Sequence, residues 1–185
     1  MRLIVGVTGA SGIRLAVRLI EELAKRGIEI YTIVTESAKK VARCECDEEI
    51  LSKIYKNSKE VYEQDDIEAP ISSSSFKTQG MIIIPCSMNT LAKIASGVAD
   101  NLLLRRADVH IKMKSKLILV PRETPLSQMH LENMLKLSKM HFVFIVIPVL
   151  TYYHKPRSIE EMENFVIGRI LDILEIKNDL YKRWK

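Results

Sequence analysis

Residues 6–12, GVTGASG, set Gly6, Gly9 and Gly12 between an apolar run and a helical pattern, with the Ser11 hydroxyl among them. A strand-to-helix turn of this composition suits an anion. Glycine lets the backbone approach a phosphate closely, and the following helix offers unpaired N–H groups and the positive end of its dipole. The spacing is G-x-x-G-x-x-G, whereas dinucleotide sites use G-x-G-x-x-G, so the turn predicts a phosphate without specifying its nucleotide. A plain turn whose glycines serve packing is the alternative.

Three further clusters share a pattern: IIIPCSMNT (82–90), LILVPRETP (117–125) and IVIPVLTYYHKPR (145–157). Each is an apolar run that reaches proline and then turns polar, which predicts that proline ends the strand. Ligands of open parallel sheets bind outside the carboxyl ends of the strands. With TGAS and TES following the first two strands, five strand ends are expected to converge on one cleft. No metal is expected there. His110, His130, His141 and His154 lack ligand spacing, and Cys44, Cys46 and Cys86 form neither an even framework nor two zinc pairs. These thiols read as reduced, in a cytoplasmic protein.

The elements that position these residues follow from periodicity. Continuous apolar runs at 2–8, 28–35, 81–85, 116–121 and 141–148 alternate with helical patterns at 13–26, 87–96, 100–113, 127–139 and 158–175. Runs without polar alternation are what strands covered on both faces look like. The expected fold is a single-domain α/β protein spanning 1–185, a Rossmann-like doubly wound parallel sheet with helices on both faces. Residues 45–79 fit least well, mixing a short helix, a possible strand at 61–63 and the loop APISSSSF.

Composition narrows the function classes. The chain of 185 residues carries a formal charge of +5, yet its 28 Lys and Arg are interspersed with 23 acidic residues and form no basic block with interleaved aromatics. That argues against nucleic acid as partner. No apolar run approaches the ~20 residues of a membrane helix, and none is expected. TGASG also resembles the turn of NAD-dependent short-chain reductases, with Tyr55 and Lys59 as a Tyr-x-x-x-Lys pair. Leu15 replaces that turn's last glycine, and the pair precedes the third clear strand, so this reading ranks lower.

Taken together, GVTGASG, ISSSSF, PCSMNTLAKIASGVADNLLLRRADV, LILVPRETPLSQMHLENML and YYHKPRS resemble the flavin prenyltransferase (UbiX) family, in the flavin-binding group that includes the cysteine decarboxylases. The likeness runs from residue 2 to Trp184. It implies a metal-independent transfer of a dimethylallyl group from dimethylallyl monophosphate to N5 and C6 of reduced FMN, giving the prenylated flavin used by UbiD-type decarboxylases. It also implies a trimer-based homo-oligomer, a dodecamer, with residues 176–185 packed on a neighbouring subunit. Gly9, Ala10, Ser11, Thr35, Ser87, Met88, Asn89, Thr90 and Arg122 are the expected FMN contacts, with Ser37 the alternative to Thr35. Tyr153, Arg169, Arg105 and Lys112 are expected around the dimethylallyl phosphate. Glu45 should line the site from across a subunit boundary, and Trp184 should wall the allyl group from a neighbour. Glu123, with Ser11 as relay, is the expected base for the proton lost from flavin C6.

The residues support this unevenly. Arg169 falls among Met162, Phe165, Val166, Ile170 and Ile173, which predicts a buried guanidinium needing a phosphate or a partner carboxylate. Arg105 and Lys112 lie two helical turns apart, so they can share a face toward one cleft. Departures from the family are Ser74 in place of glycine, IRLA after the glycine turn, and IPVLTYY without the usual proline pair. A flavin-dependent decarboxylase and a non-catalytic FMN carrier are the competing functions.

Overall fold

Alternate residues of each strand enter one of two apolar layers, and that alternation builds the molecule. In the computed structural model, which describes residues 1–47 and 49–184, the first strand sends Leu3, Val5 and Val7 to one layer and Ile4 to the other. The fourth divides likewise, Ile82 and Ile84 against Met81 and Ile83. Both layers are apolar, so the strands read as unbroken hydrophobic runs.

The elements in chain order are β1 (Arg2–Val7), α1 (Ile13–Lys25), β2 (Glu29–Val34), α2 (Glu36–Glu45), α3 (Ile50–Asn57), β3 (Glu60–Glu63), β4 (Gly80–Cys86), α4 (Met88–Ser96), α5 (Leu102–Lys112), β5 (Leu117–Pro121), α6 (Gln128–Ser138), β6 (Val143–Ile145) and α7 (Ile159–Ile173). All pairings are parallel, in the order β3-β2-β1-β4-β5-β6. Helices α1, α3 and α7 cover one face, while α4, α5 and α6 cover the other. The doubly wound α/β sheet expected from periodicity is the fold observed.

Two local expectations need correction. Proline does not end every strand: β4 runs through Pro85 to Cys86, Pro121 is the last residue of β5, and β6 stops at Ile145, before Pro148. The segment after β2 is helical from Glu36, because the Thr35 side chain accepts the Ala38 N–H and caps α2. Within the chain, residues 176–184 lie back along α7, where Asn178 and Tyr181 bond Asp172. Lys185, the end of that segment, lies outside the described residues.

The irregular stretch before β4 is organised by a side chain that sequence reading passed over. Arg106 of α5 is 2% exposed and donates to the carbonyls of Ile71, Ser73 and Phe76 and to Thr78 Oγ1. The serine loop therefore wraps a buried guanidinium. Burial pulls its pKa down to about 10. One turn later, His110 is 1% exposed, with Nε2 3.3 Å from Thr78 Oγ1. Burial, with the Arg106 charge beside it, pushes the imidazole down to about 3. The unfolded chain takes up this proton near pH 6.5 and the folded chain only near 3, so His110 leaves stability intact above 6.5 and erodes it as pH falls. Between pH 7 and 5 the loss from this group should be about 2 kcal/mol. Urea unfolding of wild type and His110→Asn at both pH values measures it, with the smaller pH dependence in the variant.

Candidate active site at the carboxyl ends of the strands

From β1 the chain winds outward through β2 and β3, then returns past β1 to begin β4 on its other side. The crevice outside β1 and β4 is thus the switch point where such sheets take ligands. Thr8 closes its floor. It is 1% exposed, donates its hydroxyl to Pro85 O at 2.8 Å and accepts Ser87 N–H at 2.8 Å. One hydroxyl thereby fixes the glycine turn and the start of α4 relative to each other. Composition gave no sign of this role, because it depends on β1 and β4 being neighbours.

The glycine turn is shaped by close approach. A Cβ on Gly9 would lie 2.4 Å from Ser37 Cβ, so only glycine lets the turn rest on the start of α2. Gly12, at φ 108°, sits in the left-handed region as the N-cap of α1. Its N–H donates to Glu45 Oε2 at 2.9 Å. Glu45 was expected from across a subunit boundary; here it reaches the glycine turn of its own chain, a carboxylate where a helix N-terminus attracts an anion. Ala10 is buried, and Ser11 is half-buried at the crevice.

The end of β2 carries two hydroxyls. The Thr35 hydroxyl is buried, donating to Val7 O while capping α2. The exposed hydroxyl is Ser37, 3.0 Å from Thr35 Oγ1. Beyond β4, Ser87 caps α4 by accepting Thr90 N–H, and the two hydroxyls lie 2.9 Å apart. Met88 faces the core and Asn89 faces out.

Between this polar rim and α7 lies a cavity of about 330 Å³, walled by Pro85, Val120, Pro148, Leu150 and Met162, with Ser11 and Arg122 at its polar side. The Arg122 Nε is buried without a partner. A buried guanidinium N–H lacking an acceptor costs roughly 1–3 kcal/mol, so this wall suits an acceptor on a ligand. Glu123 is exposed beside it, accepting Thr124 N–H at 3.0 Å. Arg14, also unforeseen, borders the cavity and pairs with Glu163 at 3.2 Å. Among the described residues, no three His, Cys, Asp or Glu side chains converge as a metal-binding set.

The four phosphate-binding candidates part company. Arg169 is exposed, not buried: α7 buries Val166, Ile167, Ile170 and Leu171, and Arg169 emerges between them. It donates to Tyr181 OH at 3.3 Å and approaches Asp172 at 3.5 Å, and the Tyr181 hydrogen bond holds its pKa up. Asp172 is the carboxylate beside it. Tyr153 packs edge-on against Phe165 and Trp184. Arg105 pairs with Asp108 at 3.4 Å on α5. Lys112 ends α5 at the amino edge of the sheet, just before β5, about 10 Å along the helix from Arg105. Within one chain the two therefore share a face but stand at different depths of the sheet.

The family model for flavoproteins matches residues 1–175. Over its whole length the chain is 47% identical to the flavin prenyltransferase UbiX of Thermoplasma acidophilum and 44% identical to that of Methanocaldococcus jannaschii, covering 100% and 98% of those proteins. The chain belongs to the UbiX flavin prenyltransferases. A solved UbiX, AnUbiX, in complex with FMN and dimethylallyl pyrophosphate superimposes with a TM-score of 0.95 at 38% identity, covering 100% of this chain and 97% of that one. A dodecameric FMN-dependent UbiX-like decarboxylase from Escherichia coli O157:H7 gives 0.95 at 41% identity, with both chains fully covered. The peptidyl-cysteine decarboxylase EpiD, 20% identical with a TM-score of 0.66, shares the fold.

The Gly9 contact is testable. Gly9→Ala should destabilise the protein by about 1–3 kcal/mol through overpacking against Ser37. Adding Ser37→Gly should restore part of that loss in thermal unfolding.

Proposed function

We propose that this chain transfers a dimethylallyl group from dimethylallyl monophosphate to N5 and C6 of reduced FMN without a metal ion, in the cytoplasm, and that a UbiD-type decarboxylase takes the product. The observation that carries the reading is the unpaired, buried Arg122 N–H on an apolar cavity at the switch point, in a chain 47% identical to a UbiX protein. Such a cavity fits a planar ring whose rim accepts hydrogen bonds.

In this reading the glycine turn, Ser37, Ser87 to Thr90 and Arg122 hold FMN, which supplies the nucleophilic positions when bound. Pro85, Val120, Leu150 and Met162 keep water from an allyl carbon that becomes cationic as its ester leaves. Tyr153 and Arg169 receive the phosphate, whose developing charge Arg169 neutralises in place of a divalent ion. Removing one such preorganised donor costs roughly 3–4 kcal/mol in comparable sites. Glu123, with Ser11 as relay, removes the C6 proton as the new ring closes. Lys112, at the far edge of its own sheet, serves a cleft only when a neighbouring copy brings it there.

That copy is part of the proposal. Helix α6 leaves Met129, Leu131 and Leu135 more than half exposed, and Val149, Leu150, Tyr152 and Ile159 are similarly bare near the cleft. Apolar surface of this extent marks an association face, consistent with a homo-oligomer. Leu131→Asp with Leu135→Asp should break the assembly into smaller species, read by light scattering.

The deciding assay incubates the protein with reduced FMN and dimethylallyl monophosphate, with and without chelator. Prenylated flavin and free phosphate should appear equally in both. Unmodified flavin would favour the FMN carrier, carbon dioxide release from a cysteine-terminated peptide a decarboxylase, and retention of NAD a reductase. Loss of turnover with chelator, restored by magnesium, would overturn the metal-free reading. Glu123→Gln should lower the rate of ring closure by about 10²–10⁴-fold.

A further inference from the structure

The carboxyl-terminal segment is tied to α7 through one carboxylate. Asp172 accepts the Tyr181 hydroxyl at 2.6 Å, the Asn178 amide at 2.9 Å and both Arg183 terminal nitrogens at 3.0 and 2.7 Å. Two parallel N–H donors on one carboxylate are the fork geometry that fixes orientation as well as charge. Arg183 and its neighbours hold the Asp172 carboxyl down at about 2, so the anion persists at any working pH. Phe165, Arg169 and Asp172 lie at i, i+4 and i+7, hence along one stripe of α7. Gly168 beside them leaves room for the segment: a Cβ there would lie 2.4 Å from the Tyr181 ring. Tyr181 in turn packs edge-on to Phe165 at 5.0 Å, and Trp184 edge-on to Tyr153 at 5.2 Å.

We propose that Asp172 is a positioning residue, which anchors residues 176–184 on α7 and so sets Tyr181, Trp184 and the Arg169 guanidinium at the phosphate end of the cleft. This rests on the reading that Tyr153 and Arg169 receive the substrate phosphate. Asp172 also supplies the anion near Arg169 at 3.5 Å, while Arg183 makes the shorter contacts. Arg169 can therefore turn to a phosphate while Arg183 keeps the segment anchored. Tyr181 donates its proton to Asp172 and accepts from Arg169, so it transmits the anchor to the substrate-binding group.

Trp184 is the sole tryptophan, so its fluorescence anisotropy reports the segment directly. In the full chain Asp172→Asn should lower that anisotropy, speed tryptic cleavage after Lys177, and raise KM for dimethylallyl monophosphate at least tenfold. FMN affinity should stay within twofold, and Asp172→Glu should recover part of the KM. Wild-type anisotropy and KM in Asp172→Asn, or FMN affinity falling in step with KM, would overturn the proposal. Should that variant fail to fold, Tyr181→Phe keeps the ring on Gly168 and removes one donor; it must show the same changes to a lesser degree, and unchanged anisotropy refutes the anchor. Anisotropy and cleavage need no turnover, so they judge the anchor even if the wild-type protein proves unable to prenylate FMN.

Discussion

The two halves of the sheet meet at the β1–β4 boundary, and the Thr8 hydroxyl ties their carboxyl ends together there. It donates to Pro85 O and accepts Ser87 N–H, spending both capacities across a gap that ordinary ladder bonds no longer span. The paired register of β1 with β4 ends at Gly6 and Ile83, so without Thr8 the two loops would be joined only by the 3.3 Å bond from its own backbone to Pro85 O. Everything at the crevice is referenced to this tie. The glycine turn leaves from one side of it and the α4 N-terminus from the other, and a ligand contacting both needs their separation fixed before it binds. Each bond is worth only about 0.5–1.5 kcal/mol net, but an unmade one here would leave a buried polar group bare.

Charge in this protein is divided by function. Arg106 is buried with neutral acceptors only, three carbonyls and a hydroxyl. Those four acceptors take the terminal nitrogens of the guanidinium and fix the serine loop against α5. Arg122 differs in place: its buried Nε, without an acceptor, belongs to a residue on the wall of the cavity beside the glycine turn. Arg14 and Arg18 instead share Glu163, which pins α1 to α7 across the crevice's rim. The sequence gives these four arginines one residue type; what surrounds each guanidinium separates scaffold from cavity.

The sheet was legible because its physics is local. Strands covered on both faces are uniformly apolar, and the glycines, serines and prolines that punctuate them act within a few residues. TGAS, TES, PCS and PRE put Ser11, Thr35 or Ser37, Ser87 and Arg122 at strand ends, and the parallel order of the sheet brings those ends to one edge. Beyond that, sequence reading misjudged three-dimensional reach. Arg169 looked buried because its flanks are apolar, yet one helical position of about 100° separates the inner stripe from the surface. Lys112 looked like a partner of Arg105 because seven residues preserve the face, but not the depth along the sheet. Thr35 and Ser37 are both hydroxyls after β2, and only the capping bond to Ala38 decides which one is consumed by the fold. Thr8, Arg106 and Asp172 act through partners between 6 and 79 residues away, and no periodicity announces those.

The shape of the crevice follows from the strand order itself. β1, β2 and β4 deliver hydroxyls and helix N-termini to one side, because each is followed closely by a helix capped by a small polar or glycine residue: Gly12, Thr35 and Ser87. On the far side, β6 is only three residues long and hands the chain to an extended segment rich in valine, leucine and tyrosine before α7 begins. That segment, with Met162 and Val166, supplies an apolar wall and no helix dipole. A ligand bridging the two sides must be anionic or strongly hydrogen-bonding at one end and apolar at the other. Polar contacts alone would bind a phosphate anywhere along the first side; the wall adds room for an apolar or weakly polar group attached to it. In the proposed reaction the same wall keeps water from the allyl carbon, with the Arg122 guanidinium at the polar side of the cavity and Arg169 outside its lining, on α7.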